Sequence, residues 1–186
     1  MPKRGATKDV LTGGSGDVNP QTLVINSATV GLGFTQGVVG LPIPRLPISE
    51  GQSIVMEITD VEFSAAAIAA NLGTTQTYHF ALTTDPSPTG VLSITNVMQN
   101  PRTVAQWLFQ TTVAAAPTSF ETIPLSQKID MTDAAGHGIL IATDNLFFNV
   151  GTNNAVASII SPSCRISYRF KQVSLREYIG IVQSQQ

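Results

Sequence analysis

Charged side chains are scarce in this sequence. Asp, Glu, Lys and Arg together make up 12% of its 186 residues, about half the share that they take in an ordinary soluble domain. Glu and Lys are strong helix formers, so their scarcity argues against a coiled coil or a protein of long helices. The formal net charge of -2 excludes a globally basic nucleic-acid binder. A nucleic-acid site on this chain must therefore be a local basic patch.

Cysteine and long apolar runs are also lacking. Cys164 is the only cysteine, so no intrachain disulfide can form and the hydrophobic core must hold the fold by itself. No apolar stretch approaches the roughly 18 to 20 residues that a membrane-spanning helix needs. The N-terminal residues also lack the apolar segment of a secretory signal. We therefore expect no membrane partner.

Histidine, the most common catalytic base, occurs only at His79 and His137. His137 follows Asp133 at a predicted loop-to-strand junction, where a surface turn is favoured over an acid–base pair. His79 lies on the polar side of an alternating strand and is expected to be solvated or hydrogen-bonded. Gly-x-Ser-x-Gly, His-Glu-x-x-His and P-loop motifs are absent from the sequence. The sequence predicts no enzyme, no catalytic residues and no cofactor.

Metal-binding patterns are similarly poor. One cysteine and two distant histidines do not make a tetrahedral zinc set. Asp130, Asp133 and Asp144 lie close together in sequence and offer the hard oxygen ligands that calcium prefers. Solvated turn carboxylates are the favoured alternative for these three calcium candidates. The sequence therefore predicts no metal site.

Short runs rich in Val, Ile, Thr and aromatic residues fill the chain from residue 21 onward, separated by Gly, Pro, Asn and Asp. In residues 164–171 the even positions are apolar and the odd positions polar or basic, as in a half-buried strand. In residues 54–63 the apolar phase slips at Asp60, which predicts a β-bulge. Similar alternation surrounds Phe80 and Trp107. The remaining candidate strands are residues 22–30, 122–129, 138–142, 146–150 and 155–160.

This pattern of many short strands without long amphipathic helices predicts an all-β fold. The connections at residues 41–47, 85–90 and 111–118 are too long for tight hairpins, which favours Greek-key crossings. We therefore predict a single jelly-roll β-sandwich of about eight antiparallel strands. One short loop helix is predicted at the Ala-rich residues 64–72, because Ala has the highest helix propensity.

Seven of the ten basic residues lie in two terminal clusters. Residues 1–19 are predicted to form a basic, flexible arm with a Gly-rich hinge, and residues 20–186 the folded domain. On the strand at residues 164–171, the alternation places three cations on one face, a geometry suited to phosphate contact. An ordinary solvated sheet face is an equal alternative. The candidate nucleic-acid-binding residues are Lys3, Arg4, Lys8, Arg165, Arg169 and Lys171.

A short basic arm with a Gly-rich hinge, followed by strands and Pro-containing loops, resembles the single jelly-roll coat proteins of small icosahedral viruses. Residues 168–182, which read YRFKQVSLREYIGIV, also resemble the C-terminal region of capsid proteins from environmentally sampled Rep-encoding circular single-stranded DNA viruses. The resemblance implies a self-assembling icosahedral shell of many copies, with the arm contacting the packaged single-stranded genome without sequence specificity. It implies a virion protein made in the host cytoplasm, with nuclear assembly as an open alternative. The arm is shorter and less basic than is usual in such coats, which puts genome neutralisation by the arm alone in doubt.

Two other functions remain open at this stage. One is a β-sandwich subunit of an extracellular filament or appendage, whose N-terminal segment adds a strand to a neighbour's sheet. The other is a carbohydrate-binding module, because a fold does not determine a function. Trp107 is the candidate sugar-stacking residue for that module, although a lone Trp between Ala105 and Phe109 is more typical of a core.

Overall fold

A computed structural model describes residues 21–26, 34–40, 51–66, 75–86, 102–112, 126–152 and 161–185. Within these ranges the chain forms nine β-strands and one C-terminal helix. The strands are β1 (Gln21–Asn26), β2 (Phe34–Gly40), β3 (Gln52–Ala66), β4 (Thr75–Thr83), β5 (Thr103–Thr112), β6 (Ser126–Asp130), β7 (Ile139–Ile141), β8 (Asn145–Thr152) and β9 (Ser161–Ser174). The helix is α1 (Leu175–Gln185).

The strands form two antiparallel sheets with interleaved connections. The first has the order β1-β9-β3-β6, with β7 also paired to β3, and the second has the order β2-β8-β4-β5. Strands β6 and β7 pair with different stretches of β3, Asp60–Ser64 and Met56–Ile58, so together they fill one position. Two sheets of four positions, with the chain crossing repeatedly between them, are the arrangement of a jelly roll. The predicted fold class is confirmed.

The predicted bulge is also confirmed, and it keeps β3 in phase with β9. The register runs from Ile58 opposite Tyr168 directly to Asp60 opposite Ser167, so Thr59 is the extra residue. Ile58 precedes the bulge and Val61 follows it, yet both are fully buried. A regular strand would turn one of them outward, because side chains alternate between faces.

The core between the sheets is built on aromatic rings. Phe80, at its centre, makes edge-to-face contacts with Trp107, Phe109 and Phe148, at centroid distances of 5.5 to 5.8 Å. Phe63 of β3 stacks on Phe148 of the opposite sheet at 5.9 Å. Trp107 is only 8% exposed, so its predicted place in the core is confirmed.

Strand β4 differs from the predicted half-exposed pattern. Its outward positions His79, Ala81 and Thr83 are as buried as its core positions. Of the two alternatives expected for His79, burial excludes the solvated one and leaves the hydrogen-bonded one. One buried polar pair on this face is formed by Asn149 and Thr83, where Asn149 Nδ2 donates to Thr83 Oγ1 at 2.8 Å. Short polar residues that satisfy one another can be buried, and alternation alone cannot distinguish them from solvated ones.

The helix lies at a different place from the one predicted. Residues 64–66 of the predicted loop helix continue strand β3, because they pair with β9 out to Ser161; residues 67–72 lie outside the described part. Helix α1 was not predicted, since Gly180 and its β-branched residues have low helix propensity. Its signal is the capping sequence Ser174-Leu175-Arg176-Glu177, and the Glu177 N–H donates to Ser174 Oγ at 3.2 Å. No helix in the described ranges has the length and apolarity to cross a bilayer.

The other predicted strands correspond to β1, β6, β7 and β8, with shifted ends. Residues 27–30 and 122–125, at the ends of two predicted runs, lie outside the described residues, as does the whole predicted strand at 155–160.

Candidate nucleic-acid interface

The cationic side chains of β9 lie on the outer face of the first sheet. Cys164, Ile166 and Tyr168 point into the core, so the intervening positions point away from it. Arg165 and Arg169 stand opposite Glu62 and Glu57 of β3 in the strand register. Both pairs form because Thr59 is an extra residue in β3: without this bulge, Glu57 and Glu62 would point to opposite faces of the sheet.

Glu57 is the centre of this face. It is 1% exposed, and its Oε2 accepts a hydrogen bond from Arg169 Nε at 2.5 Å. Its Oε1 accepts the Gly138 N–H at 2.9 Å and lies 4.0 Å from Lys171 Nζ. Burial on its own raises the pKa of Glu57, but the Arg169 hydrogen bond, the Gly138 N–H and the charges of Arg169 and Lys171 outweigh it, so the net pKa is lowered. Glu57 is therefore held as a carboxylate.

The other cations on the face are more open to solvent. Arg165 Nη1 lies 3.8 Å from Glu62 Oε2, and 59% of the Arg165 side chain is exposed. Lys128 Nζ of β6 lies 3.5 Å from Asp60 Oδ2, and 64% of the Lys128 side chain is exposed. Glu57, Asp60 and Glu62 thus form a row of carboxylates on β3, flanked by cations from β9 and β6. Asp130 of β6, opposite Asp60 in the strand register, adds a fourth carboxylate to this face, so its four cations are balanced by four carboxylates.

Arg169 therefore differs from Arg165 and Lys171, the other two predicted nucleic-acid-binding residues of β9. Besides Glu57, it donates from Nη2 to the carbonyl oxygen of Gly136 at 2.9 Å, so its guanidinium joins the sheet to the loop before β7. Among the residues that the structure describes, Arg165 and Lys171 each make one long contact to a carboxylate, at 3.8 and 4.0 Å. The sequence could not show this difference, because all three residues have the same place in the alternation.

The loop of residues 131–138 does not form the acid–base pair that His137 and Asp133 would need. Asp133 Oδ1 accepts the backbone N–H groups of Ala135 and His137, at 2.9 and 2.8 Å, which closes a tight turn. The hydrogen bond from the His137 N–H lowers the Asp133 pKa most, and together with that from the Ala135 N–H it outweighs the opposing effect of burial. The His137 imidazole lies 3.9 Å from Glu57, whose carboxylate is already held by Arg169. The predicted surface turn matches this geometry.

The three calcium candidates do not converge. Asp130 Oδ1 accepts the Thr132 hydroxyl at 2.7 Å and the Thr132 N–H at 2.9 Å, and these bonds lower the Asp130 pKa, the hydroxyl contributing most. The Asp133 carboxylate already accepts two backbone N–H groups of its own loop. Asp144 is exposed in the turn before β8. In the part of the chain that the structure describes, no group of three His, Cys, Asp or Glu residues is placed to hold a metal ion. Lys3, Arg4 and Lys8, with the whole predicted arm 1–19, lie outside the described residues.

The fold resembles solved structures of viral proteins. The VP1 pentamer of KI polyomavirus, solved unassembled, aligns with a TM-score of 0.52 and 13% identity, over 83% of this chain and 95% of the VP1 chain. The VP1 pentamer of human polyomavirus 7 aligns with a TM-score of 0.51 and 12% identity, over 84% and 95%. The VP1 pentamer of human polyomavirus 6 gives 0.50 and 12%, over 83% and 95%. No protein-family model matches the sequence, and no curated protein matches it. At these identities the likeness concerns the fold.

Proposed function

We propose that this chain is a structural capsid protein whose copies assemble into an icosahedral shell. The observation that carries the proposal is the strand order β1-β9-β3-β6 against β2-β8-β4-β5, in a fold that resembles viral VP1 chains solved as pentamers. The low charge content supports the proposal, since the desolvation of sparsely charged surfaces in symmetric contacts costs little free energy. In this proposal the protein resides in the virion after synthesis in the host cytoplasm, and nuclear assembly stays open.

Within this proposal, residues 20–186 form the shell and residues 1–19 the inward arm. The resemblance of residues 168–182 to capsid proteins of Rep-encoding circular DNA viruses supports a small single-stranded genome as the packaged nucleic acid in this proposal. This segment holds the end of β9 and most of α1. The sequence of a packaged genome would test this assignment.

Genome contact is the second part of the proposal. The arm residues Lys3, Arg4 and Lys8 would bind phosphate without reading bases. On the shell, the exposed Arg165 and the half-exposed Lys171 suit the same task. Arg169 would support the face without binding the genome, since its charge is balanced by the buried Glu57 carboxylate and its guanidinium is fixed by hydrogen bonds to that carboxylate and to a carbonyl.

Particle formation is the direct test of assembly. The full chain is expressed, examined by electron microscopy, treated with nuclease and extracted for protected nucleic acid. We expect closed shells that retain nuclease-resistant nucleic acid. Helical filaments would support the appendage alternative instead, and a chain that stays monomeric under all assembly conditions would contradict the proposal.

The salt dependence of binding to single-stranded nucleic acid tests the genome contacts separately. The logarithm of the binding constant falls with the logarithm of salt concentration by about 0.7 per phosphate contact for single strands. We expect Lys3→Ala/Arg4→Ala/Lys8→Ala to reduce this slope by about 2, and Arg165→Ala/Lys171→Ala by about 1.4. Arg176→Ala, which removes an exposed cation on α1, is the matched control and should leave the slope unchanged. Equal slopes in all variants would refute the assigned contacts.

A further inference from the structure

Within the described residues, one edge of strand β7 is covered by a side chain instead of a neighbouring strand. On one side, β7 pairs with Met56–Ile58 of β3. On the other side, no described strand pairs with it. There the Leu140 carbonyl oxygen accepts a hydrogen bond from Gln185 Nε2 at 2.6 Å, and the Ala142 N–H donates to Gln185 Oε1 at 3.1 Å.

The carboxamide of Gln185 thus takes the place of one residue of a neighbouring strand. Residues 140 and 142 are two apart, so their outward backbone groups lie on the same side of the strand. One carboxamide that donates to the first and accepts from the second satisfies both, as the N–H and C=O of a single residue in an adjacent parallel strand would. Helix α1 brings Gln185 to this position by packing Tyr178, Ile181 and Val182 against the small cluster of Val55, Ala142 and Val173.

Without this contact, the edge of β7 would have no hydrogen-bonding partner among the described residues, and the strand is apolar. Its sequence is Ile139-Leu140-Ile141, and Ile139 is already 37% exposed. A groove of about 340 Å³, lined by residues of β7, the start of β5 and the end of α1, runs beside it. Uncovered apolar edges readily pair with strands of other chains, and natural proteins cover them.

The sequence of this edge identifies a second copy of the chain as the partner that it would accept. Gly138-Ile139-Leu140-Ile141-Ala142 reads almost the same in both directions. Two such strands can pair antiparallel about a two-fold axis through Leu140, with the same residues in contact on both sides. An isologous contact of this kind requires a self-complementary surface.

We propose that Gln185 is an edge cap, which occupies the free side of β7 and prevents two copies of the chain from pairing through this strand. The proposal does not depend on a capsid function, since it concerns only which edge is closed to association. It predicts that removal of the carboxamide exposes the Ala142 N–H and opens a new contact between copies.

The test compares Gln185→Ala with Gln183→Ala, which removes an exposed glutamine from the same helix. Amide hydrogen exchange at Ala142 and sedimentation over a range of concentrations are measured where the wild-type chain stays in its smallest oligomer. For Gln185→Ala we expect exchange at Ala142 to be about tenfold faster, the loss of one hydrogen bond, and a doubling of the oligomer at high concentration. Gln183→Ala should show neither change.

Two results would overturn the proposal: Ala142 exchange in Gln185→Ala equal to that in Gln183→Ala, or faster exchange without additional association. If Gln185→Ala does not fold, Gln185→Glu serves instead, because its carboxylate can still accept from the Ala142 N–H but cannot donate to Leu140. It should keep Ala142 protected and still associate more than wild type through the uncapped Leu140 carbonyl. The absence of added association in this variant would also overturn the proposal.

Discussion

Arg169 Nε lies 2.5 Å from Glu57 Oε2, and this pair joins three parts of the fold. Glu57 belongs to β3 and Arg169 to β9, and the same two side chains bind the Gly138 N–H and the Gly136 carbonyl of the loop before β7. Glu57 is buried, while one third of the Arg169 side chain is exposed. The pair therefore has a structural role at the centre of a face that looks like a phosphate-binding surface in sequence.

Removal of Arg169 should destabilise the fold much more than removal of Arg165. Arg169→Ala leaves the Glu57 carboxylate buried without its main partner, which costs about 3 kcal/mol. Arg165→Ala breaks an exposed contact at 3.8 Å and should cost less than about 1 kcal/mol. Urea unfolding gives both values. Similar losses of unfolding free energy in the two variants would contradict this account, since the Glu57 carboxylate would then be solvated or paired with Lys171 in Arg169→Ala.

Acid should weaken the fold through Glu57. Its pKa in the folded chain is lowered below the ordinary value of 4.5, so its contribution to stability is complete above that value and is lost as the pH falls through the folded pKa. Thermal unfolding from pH 7 to pH 3 should show a steeper loss for wild type than for Glu57→Gln. Glu62→Gln, which removes a carboxylate from the same face, is the control and should retain the wild-type slope. Parallel curves for wild type and Glu57→Gln would contradict this account.

Gly138 should not tolerate a side chain. A Cβ at this position would lie 2.0 Å from the carbonyl oxygen of Ile58, so Gly138→Ala must push the loop away from β3 and lengthen its hydrogen bond to Glu57. We expect a loss of about 2 kcal/mol or more in unfolding free energy. Gly180→Ala is the matched control, since a Cβ there meets nothing within 4 Å and should stabilise α1 by up to about 1 kcal/mol. A neutral Gly138→Ala would show that this loop does not lie against the sheet.

Cys164 should be inert in the folded chain. It is fully buried opposite Phe63, and burial raises the pKa of its thiol, so both access and thiolate formation are suppressed. A thiol reagent at pH 8 should label it only at the rate of unfolding, and fully in denaturant. Rapid labelling without denaturant would place Cys164 in a region that opens locally.

The candidate interface was only partly accessible to sequence reasoning. Alternation correctly placed Arg165, Arg169 and Lys171 on one face of β9, because that depends on neighbouring positions alone. The carboxylates opposite them lie more than a hundred residues earlier in the chain, and their register depends on the bulge at Thr59. The edge cap was missed for the same reason, since Gln185 and Leu140 are distant in sequence.

The sequence by itself determined the all-β class, the phase of β9 and the bulge in β3, since these follow from the local order of apolar and polar residues. Tertiary structure alone decided which cations are neutralised, how β4 is buried on both faces and what covers the edge of β7. Each of these depends on the register between strands that meet across the fold, and a one-residue shift in that register would exchange every partner.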